Sequence, residues 1–151
     1  MSDRLQQVLD RDAVTELRAR FAWALDTRDW ALFTSLFTPE VDLDLSELGG
    51  PAGPLPRESV TALFQRSFRR PREEMGTQQL YGNVVVAVTG DTATARSYLV
   101  GHHHVAGMSG GEEVTLRAAY EDRLVRTADG WRIRGTTLRV LSLVGNAAIL
   151  A

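Results

Sequence analysis

The chain has 151 residues, 44% apolar and 24% charged, with a formal net charge of −2. That length suits one globular domain, burying roughly two-thirds of the surface of its unfolded chain. The charge argues against an electrostatic nucleic-acid binder, since the one short basic cluster is Arg69-Arg70-Pro71-Arg72. Cysteine is absent, which excludes a disulfide framework, a thiol nucleophile and a thiolate metal site. The opening Met1-Ser2-Asp3-Arg4 is charged and no apolar run reaches membrane-spanning length, so a cytoplasmic protein without membrane attachment is expected.

Val14, Leu17, Phe21 and Leu25 recur at helical spacing and predict a first helix from Asp10 to Leu25, with Asp10 or Asp12 as N-cap. Its last turn, Phe21 to Leu25, is apolar on every side, which predicts burial. Asp26 follows at the end where the helix dipole disfavours an acid, so helix stability does not account for it. Asp29 precedes the apolar set Trp30, Leu32, Phe33, Leu36 and Phe37, and is placed to cap a short second helix ahead of Pro39. Val41, Leu43 and Leu45 alternate with Asp42 and Asp44, the pattern of a short strand. Residues 49–56, rich in glycine and proline, predict an irregular loop that borders a site or simply connects elements. A third helix starts at Arg57 or Glu58, carries Val60, Leu63, Phe64 and Phe68 on one side, and stops before Pro71.

Four strand patterns then run Thr77–Thr89, Thr92–Val105, Glu113–Arg126 and Trp131–Val144, ahead of an apolar tail at 145–151. Their separators, Gly90-Asp91, Gly107 to Gly111 and Asp129-Gly130, carry hairpin-turn chemistry. Helices followed by a meander predict a single α+β domain over 1–151. Three N-terminal helices pack on a curved, mostly antiparallel sheet, a cone-shaped α+β barrel enclosing an apolar pocket. Such a hollow is a ligand site by default.

Strand alternation selects candidates for that hollow. In His102-His103-His104 adjacent rings point to opposite faces, and no third ligand pattern accompanies them, so no metal is expected. Ala93, Ala95, Ser97, Leu99, Gly101 and His103 form the small or apolar side of one strand, which turns His103 inward unless a bulge near Gly101 intervenes. Gln79, Tyr81 and Asn83 share one parity of the preceding strand, and Tyr120 and Asp122 share one of the next. Trp23, Trp30, Phe33, Phe64 and Phe68 are core aromatics or an aromatic pocket wall.

The runs Asp10-Arg11-Asp12-Ala13-Val14, Phe21 to Trp30 and Leu36-Phe37-Thr38-Pro39-Glu40 resemble the SnoaL-like branch of the nuclear transport factor 2-like superfamily. So do Thr77 to Asn83, Gly90-Asp91-Thr92-Ala93 and Gly130-Trp131-Arg132-Ile133. The resemblance covers nearly the whole chain and implies the cone-shaped fold. It also implies a hydrophobic small-molecule ligand, no cofactor, and dimerisation. Members include polyketide cyclases, dehydratases, isomerases, a dehydrochlorinase and non-catalytic subunits. In the dehydratase and dehydrochlorinase members an aspartate at the end of the first helix pairs with a histidine. Asp26 matches the aspartate, while the histidine position falls on Gln79, a tyrosine position on Leu45 and a second histidine position on Ser97. Glutamine cannot carry a proton, so a cyclase-type step is favoured over imidazole-assisted elimination.

Two functions follow. One is a cofactor-independent enzyme of cyclase, isomerase or dehydratase type on a polyketide-like intermediate. Asp26 would carry the proton, His103 or Tyr81 would act on an oxygen, and Gln79, Asn83, Trp23, Ser97, Leu45, Phe64 and Tyr120 would bind substrate. The other is a non-catalytic ligand-binding or structural subunit of the same fold.

Overall fold

The first helix begins well before its apolar stripe: α1 spans Asp3–Thr27 in the computed structural model, which describes residues 3–151. Asp10 is therefore inside the helix and not its cap. Its carboxylate is buried and takes the Arg126 guanidinium on both oxygens, at 2.7 and 2.8 Å, and the Trp131 indole N–H at 3.2 Å. These charge-assisted bonds hold the Asp10 carboxyl far below the usual carboxylate range and tie the helix to the last hairpin. The stripe Val14, Leu17, Phe21 and Leu25 is buried as expected, but its last turn, Phe21 to Leu25, is not dry all round. Trp23 is 68% exposed, because 100° steps carry it away from the stripe.

Asp29 caps the short helix α2, Trp30–Ser35, accepting the Leu32 N–H at 2.9 Å. Asp29→Ala is expected to cost about 1 kcal/mol in urea denaturation. The next strand, β1, is longer than its alternation suggests and covers Phe37–Asp44. Part of the glycine- and proline-rich stretch is regular after all: Ala52–Pro56 forms β2, antiparallel to β1. It is an edge strand, the place where Pro54 and Pro56 need not donate to a ladder. Helix α3 follows directly, Arg57–Ser67.

The remaining strands are β3, Gly76–Thr89; β4, Thr92–His104; β5, Glu113–Thr127; and β6, Gly130–Gly145. The six strands lie in the order β2-β1-β6-β5-β4-β3, antiparallel except where β1 runs parallel to β6. The sheet is open, with β2 and β3 as its edges. Phe21, Phe33, Phe37 and Phe64 knit the helices to its inner face, with Phe21 and Phe64 both 4.9 Å from Phe33 between ring centroids. The apolar tail contains a 3-10 turn at Ala147–Ile149, which Asn146 caps through the Ala148 N–H at 3.2 Å.

One irregularity matters for the site. The β3–β4 register shifts between Gly82 and Val85, where Asn83 adopts φ 53°. Asparagine tolerates this left-handed backbone better than most residues, and a bulge results. Before it Gln79 and Tyr81 face inward; after it Val84, Val86 and Val88 do. No described helix is long and apolar enough to cross a membrane.

Candidate functional site

Between α3, the end of α1 and the inner sheet face lies a cavity of about 560 Å³. Its rim is formed by residues from Leu45 to Pro51 and by the C-terminal residues Ala147, Leu150 and Ala151. Among the sequence-derived candidates, Leu45, Phe64, Gln79, His103 and Tyr120 line it. Ser97, paired across the sheet with Tyr120, and Tyr81 lie beside it with buried hydroxyls that have no hydrogen-bond partner among the described residues. Two candidates are corrected by the geometry: Trp23 projects into solvent, and Asn83 is exposed because the bulge turns it out of line with Gln79 and Tyr81.

β4 is regular through Gly101, so the parity holds and His103 points inward at 3% exposure. Its neighbours point the other way: His102 Nδ1 meets the Thr115 hydroxyl at 3.0 Å, and His104 lies 3.8 Å from Glu112. The His103 ring packs against Phe68 with centroids 5.3 Å apart. Burial, reinforced by the Arg28 charge and then by His102, pushes His103 down to about 4, so the ring is neutral at physiological pH. Gln79 Nε2 stands 3.4 Å from His103 Nε2. An amide nitrogen only donates, so this pairing puts the ring proton on Nδ1, which is buried and unpartnered. Gly101 makes the pairing possible, since a Cβ there would come within 2.8 Å of the Gln79 amide oxygen.

Asp26 acts one layer away. It is not among the residues that line the cavity. One carboxylate oxygen accepts the Thr77 hydroxyl and the other the Gln79 backbone N–H, both at 3.0 Å. The group is half-buried, and desolvation pushes it up against the opposing pull of these bonds and of Arg28. Arg28, itself at φ 61°, braces the same corner by donating to the Leu25 and Phe68 carbonyls and to Thr77. Asp26 thereby clamps the start of β3 to the end of α1 and sets the backbone from which the Gln79 side chain reaches His103.

Sequence reasoning passed over Arg18. It is fully buried and donates through Nε to Asp122 at 2.6 Å and through Nη2 to both Asp122 and Thr136. Its guanidinium lies 4.0 Å from the Tyr120 ring centroid and 4.5 Å from that of Phe21. The available signal was an arginine set inside the apolar stripe Val14, Leu17, Phe21, where an unpaired cation would not be tolerated.

Residues 6–137 match the family model described as the SnoaL-like domain. An uncharacterized protein of Mycobacterium tuberculosis is 29% identical over 131 residues, 84% of this chain and 82% of its own. Among solved structures, an NTF2-like protein with a cystatin-like fold from Novosphingobium aromaticivorans is 27% identical, with a TM-score of 0.78 over 97% of this chain and 90% of its own. The hexachlorocyclohexane dehydrochlorinase LinA-type3 of Novosphingobium barchaimii has a TM-score of 0.78 over 96% and 95% of the two chains, at 14% identity. That last likeness is one of fold.

Proposed function

Because the chain belongs to the SnoaL-like domain family, we propose that it is a cofactor-independent enzyme that moves a proton on a hydrophobic small molecule, by cyclase-, isomerase- or dehydratase-type chemistry. One observation carries the reading: a buried, neutral imidazole, its Nδ1 unpartnered among the described residues, lines a cavity walled mainly by leucine and phenylalanine. A polar ring nitrogen sealed in such a place without a partner costs free energy unless a ligand atom completes it. His103 donates its Nδ1 proton in a hydrogen bond to a substrate oxygen, and takes a proton at Nδ1 in the other tautomer, with the Gln79 amide turned so that its oxygen accepts from Nε2–H. Gln79 orients the ring, and Asp26, through the Gln79 N–H and Thr77, is a positioning residue.

A second reading rests on the upward push that burial exerts on the Asp26 carboxyl, the condition of a carboxylate proton carrier. The two separate on Asp26→Asn, with deuterium exchange into the enolisable ketone β-tetralone in heavy water as the readout. Under the positioning role the variant slows exchange by roughly ten- to a hundredfold. It also keeps the acid limb of the rate at the His103 value of about 4. Loss of that limb would make Asp26 the carrier. Unchanged exchange by wild type over buffer, across a panel of apolar ketones, would instead leave the ligand-binding module as the better description.

A further inference from the structure

The cavity's charge distribution is one-sided. Of the side chains that line it, the one with a formal charge at neutral pH is Arg66; no aspartate or glutamate is present in the lining, and His103 is neutral. Arg66 sits in the last turn of α3, exposed, and forms no hydrogen bond or ion pair among the described residues. Its surroundings strengthen the asymmetry. Arg69, whose guanidinium donates to the Ala151 main-chain oxygen, and Arg70 and Arg72 follow within six residues, and among the described residues none of the four side chains pairs with an aspartate or glutamate. The acids that come next, Glu73 and Glu74, are exposed and lie outside the lining. A basic residue in a last helical turn favourably meets the dipole. That explains a cation at this end of α3, but not why the charged side chains along the cavity are basic without an acid among them, the Ala151 main-chain oxygen at the rim being already taken by Arg69.

On the reading that the cavity takes a hydrophobic small molecule, we infer that the substrate is a hydrophobic anion, its apolar body inside the cavity and its carboxylate at the rim against Arg66. The rest of the lining fits that polarity. Leu25, Leu63, Leu99, Leu116 and Leu138 offer no counter-ion to a charge in the interior, where an unpaired carboxylate would be strongly disfavoured. At the rim the guanidinium fork matches a planar carboxylate while the anion keeps part of its hydration. The neighbouring arginines add a positive field that draws anions to the mouth. The charge fixes which end of the ligand enters first, so the end opposite the carboxylate reaches the sheet.

The test uses the full chain loaded with the neutral fluorophore N-phenyl-α-naphthylamine, displaced by decanoate or by decanol, which share a chain and differ in charge. In Arg66→Gln, decanoate is expected to displace the fluorophore about three- to fivefold less effectively, with decanol and the fluorophore itself unchanged. For wild type the advantage of decanoate shrinks with added salt, as a rim ion pair requires. If fluorophore and decanol bind but the variant leaves decanoate unaffected, the anion inference is overturned and the hydrophobic-ligand reading stands. If neither fluorophore nor decanol binds, both fall.

Discussion

Arg18→Met is expected to destabilise the fold by about 3–5 kcal/mol in urea denaturation at neutral pH, the effect of leaving one member of a buried ion pair behind. The arginine and Asp122 are 2% and 3% exposed, so water cannot take over the carboxylate's lost bonds. Only the Thr136 hydroxyl, 2.7 Å from Asp122 Oδ1, would still serve it. Methionine fills much of the volume against Phe21, Tyr81 and Tyr120, which keeps cavity formation from being the main cause. Arg18→Met with Asp122→Leu removes both charges and is expected to regain most of the loss, because an apolar pair of similar size needs no desolvation compensation. A single-variant cost under about 1 kcal/mol would show that the pair is not the buried, mutually dependent unit described.

His103→Gln is expected to lower β-tetralone exchange by about 10²–10⁴-fold, the usual contribution of a positioned acid–base group. Its acid-base behaviour gives a second readout. A histidine held at about 4 in the fold and near 6.5 in the unfolded chain is protonated more readily when unfolded. The associated penalty is absent above pH 6.5, develops as pH falls from there, and is complete below about 4, where it amounts to about 3 kcal/mol. The wild type should therefore lose stability across that window more steeply than His103→Gln. An NMR titration of the ring in wild type should find its midpoint near 4. A midpoint above 6 would mean that the ring is hydrated and not the sealed group on which the proposed chemistry depends.

The sheet was readable because its signals are local. Alternation along β4 put Ala93, Ser97, Leu99 and His103 on one face, and glycine-bearing turns marked each hairpin. The N-cap at Asp29 was readable for the same reason. Failures came where a distant partner decides. Asp10 looks like a cap until Arg126, 116 residues later, arrives opposite it. Arg18 looks out of place until Asp122 is folded against it. β2 was hidden because Pro54 and Pro56 exclude a central strand but not an edge one. Trp23 was expected indoors because the turn from Phe21 to Leu25 is apolar on every side, yet five residues of one turn cannot all face a single neighbour. The Gln79–His103 contact follows from pairing across β3 and β4, but only once the shift at Asn83 is known.

That shift also divides labour along a single strand. The residues ahead of Asn83 hold the amide and the ring beside the hollow, whereas Val84, Val86 and Val88 carry the weight of the helical layer. A mutation on one side of the hinge point need not be felt on the other. A substitution of the Gln79 side chain therefore leaves the packing of Val84, Val86 and Val88 against the helices in place.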